Sequence, residues 1–94
     1  MTLEDLVILL DPKAKGNIQG RAKIELTDLG SVLLTEEGAA ISDEDADVTL
    51  SASLDVFQAI LDGSQNPMMA YMGGKLKIDG STTRALKISE ILTA

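Results

Sequence analysis

Carboxylates are the most concentrated reactive groups in this chain, and their densest run is Asp43-Glu44-Asp45-Ala46-Asp47. Acids at i, i+2 and i+4 match the opening of a calcium-binding loop. The rest of such a loop does not follow. Its sixth position, where the turn needs glycine, is Val48, and its twelfth, where a bidentate acid belongs, is Leu54. The run therefore reads as a solvated acidic turn ahead of a strand, with no metal ligand set. Hydrolysis by paired carboxylates needs two acids held at a fixed separation across the scissile bond, which such a turn does not provide. Histidine is absent, which removes the commonest general base and the usual partner of a serine nucleophile. Cysteine is absent too, and with it a thiolate nucleophile, a thiolate metal site and any disulfide. Lys75, Lys77 and Lys87 fit no recognised Ser-Lys arrangement and read as surface residues of a strand and a helix. Gly73-Gly74 belongs to neither G-x-G-x-x-G nor G-x-x-x-x-G-K-[ST], so its role is positional: it ends one helix and lets a strand start at a sharp angle. No catalytic residue and no cofactor is expected, and the chain reads as non-enzymatic.

Charge narrows the partners. Fifteen acids against eight bases leave a net charge of −7, and a phosphate backbone needs clustered Lys and Arg to release its counterions. Nucleic acid is excluded on that ground. The same field repels an anionic membrane surface, so membrane contact must be brief or run through an apolar patch. The N-terminus carries Glu4 and Asp5 where a secretory signal needs bases, and the longest apolar run, Leu6 to Leu10, is far too short to span a bilayer. Stable membrane insertion is not expected, and a cytoplasmic location is.

The elements that must position any site follow from periodicity. Leu3, Leu6, Val7 and Leu10 place one apolar stripe on a short helix, with Thr2 as N-cap and Glu4 and Asp5 favoured by the helix dipole in its first turn. Pro12 is expected to stop it, and Pro12 to Gly20 to form a loop. From Arg21 to Thr27 apolar and polar residues alternate, as in a half-buried strand. Ser31 to Thr35 makes a second strand, Ala39 to Ile41 a short extended piece, and Asp47 to Ala52 another alternating strand. Three antiparallel strands in a meander is the economical arrangement. Ser53 then caps a helix whose Leu54, Phe57, Ile60 and Leu61 share a face, ended by Gly63. Asn66-Pro67 opens a short helix carrying Met68, Met69, Tyr71 and Met72. Lys75 to Asp79 alternates as a last strand, Gly80 turns the chain, and Ser81 or Thr82 caps a final helix with Ala85, Ile88 and Leu92 buried and Leu86 and Ile91 flanking them. This order gives one α+β domain over residues 1–94. Its core is aliphatic, because Phe57 and Tyr71 are the only aromatic residues.

Three stretches carry a resemblance: Phe57-Gln58-Ala59-Ile60-Leu61-Asp62-Gly63, Asn66-Pro67-Met68-Met69-Ala70-Tyr71-Met72, and Gly74-Lys75-Leu76-Lys77-Ile78-Asp79-Gly80. Together they resemble the C-terminal half of the sterol carrier protein (type two) family, closely from about Ala46 to Leu92 and more weakly back to about Gly20. Departures are a short N-terminus, Val32, Leu33 and Leu34 where aromatics are often found, and Ser81 after Gly80. The resemblance implies an antiparallel-dominated sheet of about five strands packed against helices, with an elongated apolar ligand in a tunnel between sheet and C-terminal helices. Phe57, Leu61, Met68, Met69, Met72, Leu76, Ile78, Leu86 and Ile88 are the candidate lining residues. The methionines suit this because thioether side chains are flexible and polarizable. Each buried methylene is worth ~0.8 kcal/mol, so about ten carbons gain on the order of 8 kcal/mol before ordering costs.

The same residues at the same spacing would also build the core of an unliganded domain. The implied function is binding and transfer or presentation of a fatty acid, acyl thioester, isoprenoid or sterol-like molecule. Its alternatives are a dimerisation or protein-docking module with a filled core, or an accessory lipid-binding factor in isoprenoid quinone biosynthesis. Sterol-carrier modules also occur fused to enzymes, so a longer natural protein would reopen the question of catalysis.

Overall fold

A computed structural model of the chain describes residues 2–93. Its elements run α1 (Leu3–Ala14), β1 (Arg21–Leu26), β2 (Gly30–Thr35), β3 (Gly38–Ile41), β4 (Val48–Ala52), α2 (Leu54–Leu61), α3 (Pro67–Met72), β5 (Lys77–Asp79) and α4 (Thr82–Thr93). The expected α+β class holds, with all elements as anticipated except at three points.

The first is α1. Its start is the expected one, made reciprocal: the Thr2 hydroxyl accepts from the Asp5 N–H at 3.2 Å, and the Asp5 carboxylate accepts from the Thr2 N–H at 3.0 Å. Pro12 does not stop the helix, which continues to Ala14. Proline withholds the N–H that would reach the Ile8 carbonyl. Ile8 is 73% exposed, so the missing bond falls on the solvent side of the helix, where an unpaired carbonyl costs little, while the fully buried Ala14 anchors the last turn.

The second is the sheet, whose order is β3-β2-β1-β4-β5. β1 and β2 pair antiparallel as expected, but the third strand of the antiparallel meander is the short β3, while β4, expected in that place, lies parallel to β1, with Ala22 opposite Val48 and Leu26 opposite Ala52. β5 then pairs antiparallel to β4. A parallel return normally needs a long crossover. Here Ser42 to Asp47 suffices because β3 is only four residues long. Three strand spacings of about 4.8 Å must be crossed, within the reach of six residues at roughly 3.3 Å each. Lys23 to Asp43 at 3.8 Å and Arg21 to Glu44 at 3.0 Å pair the linker with the polar face of β1, so the acidic run is the crossing itself.

The third is β5, expected from Lys75 but starting at Lys77. The N–H groups of Lys75 and Leu76 both donate to the Ala70 carbonyl, at 2.9 and 3.1 Å, closing off α3 instead of joining the sheet.

Strand alternation directs Ile78, Leu50, Ile24 and Val32 into one transverse row on a single sheet face, which ends at the exposed Ile41 of the edge strand. With Leu6 and Leu10 of α1, Phe57 and Ile60 of α2, and Ala85, Ile88 and Leu92 of α4, that face builds one continuous apolar cluster. α1 covers β2 and β3, while α4 covers β4 and β5 and touches every other helix.

Candidate functional site

The site region is the C-terminal layer, and local chemistry sets each piece. The Ser53 hydroxyl accepts from the Val56 N–H at 3.3 Å and starts α2. Asn66 does the same for α3 through the Met69 N–H at 3.2 Å, with Pro67 in the first turn where its missing N–H costs nothing. The Ser81 hydroxyl accepts from the Arg84 N–H at 3.2 Å at the start of α4. Gly80 makes the β5–α4 turn possible: at φ +104° a side chain is strained, and a Cβ there would lie 2.7 Å from the Asp47 carbonyl oxygen and 3.2 Å from Val48 Cα. The last glycine of the Gly74 to Gly80 stretch thus lets α4 begin directly against β4.

Among the candidate lining residues, Phe57, Leu76 and Ile88 are buried members of the common core, and Leu61 and Ile78 pack against it. Leu86 is half-buried on α4. The methionines are not brought into that group. Met68, Met69 and Met72 are 45%, 64% and 74% exposed, and Ala70 is the buried residue of α3. At 100° per residue, positions 68, 69 and 72 share one side of a helix and position 70 falls opposite them. Small size decides which side turns inward, since Ala70 allows the α3 backbone to lie close to the Lys75-Leu76 segment that bonds to it. Phe57, Leu76 and Ile88 thus lie in the core cluster that joins sheet and helices, and the methionines lie outside it.

A cleft of about 350 Å³ opens on α4, lined by Asn17, Ile18, Gln19, Ser81, Thr83, Arg84, Lys87, Ile88 and Ile91. Ile18 and Ile88 are also core residues, so the cleft floor is the edge of the apolar cluster. Its rim is polar and cationic. Arg84 donates to the Gln19 carbonyl and pairs with Asp47 at 3.4 Å. The Arg21 N–H donates to the same Asp47 oxygen at 3.1 Å. That backbone hydrogen bond first, and the Arg84 charge after it, hold the Asp47 carboxyl below its ordinary value against some desolvation. Lys87 pairs with no acid among the described residues. An anionic group entering the cleft would meet the free ammonium, hydroxyls and side-chain amides, with an apolar floor beneath. Ile88 was identified from sequence; Arg84, Asn17 and Gln19 were not, because Gln19 and Arg84 stand 65 residues apart and only the fold joins them.

Comparison with known proteins agrees with this architecture. Curated relatives match about half of the chain. The hydroxysteroid dehydrogenase-like protein 2 of Mus musculus is 42% identical over 48 residues, 51% of this chain and 10% of its own length. A fatty acid-binding protein of Yarrowia lipolytica is also 42% identical over 48 residues, 51% of this chain and 37% of its own length. The chain thus spans about a tenth of the first and well under half of the second. Among solved structures, the apo form of sterol carrier protein 2 from Yarrowia lipolytica superposes with a TM-score of 0.64 at 27% identity, covering 77% of this chain and 63% of that one. The family described as the SCP-2 sterol transfer family matches residues 3–93. With the five-stranded sheet, the helical layer and that match spanning nearly every residue, the chain belongs to the SCP-2 sterol transfer family.

Proposed function

We propose that this protein binds and carries a single-chain anionic lipid of the fatty acid class, without catalysing a reaction on it. The observation that carries this reading is the double membership of Ile88, which lies in the core cluster and also lines the cationic cleft. A carboxylate at Lys87 then has its chain directed at apolar residues. The identity shared with a fatty acid-binding protein supports the same ligand class.

The cleft volume sits at the lower end of the roughly 300–1,000 Å³ typical of small-molecule sites. It suits a head group and the first few carbons. The rest of the chain requires the apolar layer to open among Phe57, Leu61, Leu76, Ile78, Leu86 and Ile88. α3 is the element best suited to give way, since Ala70 is its one buried side chain. Each methylene transferred from water returns ~0.8 kcal/mol, so a chain of about ten carbons offsets a substantial loss of internal packing.

Native mass spectrometry of the purified protein, with displacement of a fluorescent fatty acid, tests this. Stoichiometric uptake is expected; no retained lipid and no displacement would show the reading to be wrong. Lys87→Glu is expected to weaken binding of the fatty acid by roughly tenfold while leaving its methyl ester unaffected, since it reverses a charge that only the carboxylate senses. Equal effects on acid and ester would move the head group to another place.

A further inference from the structure

We infer that α3 and the two lysines that follow it form a docking surface for the face of a lipid bilayer containing anionic lipid. From Gly63 to Gly74 no residue is charged, in a chain where 24% of residues are. Within that stretch Met68, Met69 and Met72 are exposed, and Tyr71 is 37% exposed beside them. Four large apolar side chains on a helix of six residues form a contiguous patch rather than scattered exposure.

The chemistry of the patch selects its occupant. Unbranched thioethers conform to a disordered apolar medium such as acyl chains without requiring a shaped partner. Tyrosine, apolar in its ring and polar at its tip, favours the boundary between headgroups and acyl chains. Lys75 and Lys77 follow directly, both exposed and both without an acidic partner among the described residues. Gly63 to Ile78 therefore carries two bases and no acid, while the remainder of the chain carries all fifteen acids against the other six bases. Asp79, exposed on the same face of β5 as Lys77, offsets part of this charge, so Lys75 and Lys77 bias the patch toward a negative surface while its apolar side chains supply the contact. It meets the condition set by the net charge: membrane contact through an apolar patch, without deep insertion.

The protein contains no tryptophan, so Met72→Trp places a single indole in the patch at a position exposed enough to accept it. With vesicles of phosphatidylcholine containing about a third phosphatidylglycerol, its emission should shift to the blue and be quenched by lipids brominated on the acyl chain. Met69→Glu with Met72→Glu, in the otherwise native chain, should lower the fraction co-sedimenting with these vesicles by about tenfold or more. Lys75→Glu with Lys77→Glu should abolish the preference over vesicles of phosphatidylcholine alone. The control pair Ile8→Glu with Leu9→Glu, on the exposed side of α1, should change neither. Circular dichroism establishes that each variant is folded.

Absence of quenching, or loss of co-sedimentation in the α1 pair but not the α3 pair, overturns the inference. So does an indole shift that follows protein concentration without vesicles, which would assign the patch to a second copy of the chain. Vesicle docking and uptake of a fatty acid in solution are separate readouts, so failure of one leaves the other standing.

Discussion

Asp47 stands where the linker from β3 reaches β4, and its carboxylate joins β1, through the Arg21 N–H, to α4, through Arg84. Both lower its pKa from the ordinary 3.8. The folded value being the lower one, its contribution is whole above the unfolded value and is lost as pH falls through the folded one. Asp47→Asn should thus lower the urea midpoint near pH 7, with the gap to the parent closing toward about pH 2. A gap of the same size at both pH values would show that packing, and not charge, is responsible. Asp11 makes a different use of a carboxylate: it accepts from the Ala39 N–H at 2.8 Å at the edge of the sheet. The fit needs Gly38, at φ +129°, where a Cβ would overlap the Asp11 side chain. Asp11→Ala should cost about 1–2 kcal/mol and leave an edge N–H open to pairing with other chains; chemical denaturation and light scattering read the two effects.

At the scale of elements, α1 shows the balance between cap and breaker. Thr2→Ala removes the hydroxyl of a reciprocal cap and should cost about 1 kcal/mol. Pro12→Ala should restore the bond to the Ile8 carbonyl and raise stability by about 1 kcal/mol, the helical gain being reduced by the looser unfolded chain. Thermal melts of the two variants should move in opposite directions. The expected stop at Pro12 failed because the rule describes an isolated helix, and burial of Ala14 outweighs one missing hydrogen bond. α3 carries the same lesson for faces. Spacing groups Met68, Met69 and Met72 together, but a small residue on the opposite side, with its carbonyl bonded to the following segment, turned Ala70 inward.

For the molecule as a whole, one cluster from α1 through the sheet to α4 means that a cavity anywhere in it weakens every element. Phe57, 3% exposed and the largest side chain in the cluster, is the sharpest test. Phe57→Ala should cost about 3–5 kcal/mol, with the transitions of helices and sheet remaining coincident in urea. Separate transitions would show that α2 and α4 form a layer with its own stability. Saturating fatty acid should raise the melting temperature of the parent protein with ligand concentration, as binding to the folded state alone requires.

The order of elements, the caps at Thr2 and Ser53, the opening of α3 at Asn66-Pro67, and the apolar faces of β1 and β4 were legible in the sequence, because each depends on neighbours within about four positions. The Gly74 to Gly80 stretch was legible for the same reason, and its meaning became physical once Gly80 was seen against the Asp47 carbonyl. What only the tertiary structure decided are long-range matters: the parallel seat of β4 beside β1, the outward face of the methionines, and the meeting of Gln19 with Arg84 and of both with Lys87 around one cleft. Local periodicity says which residues share a face, but the partner that face meets is chosen by competition among distant segments for the same buried surface.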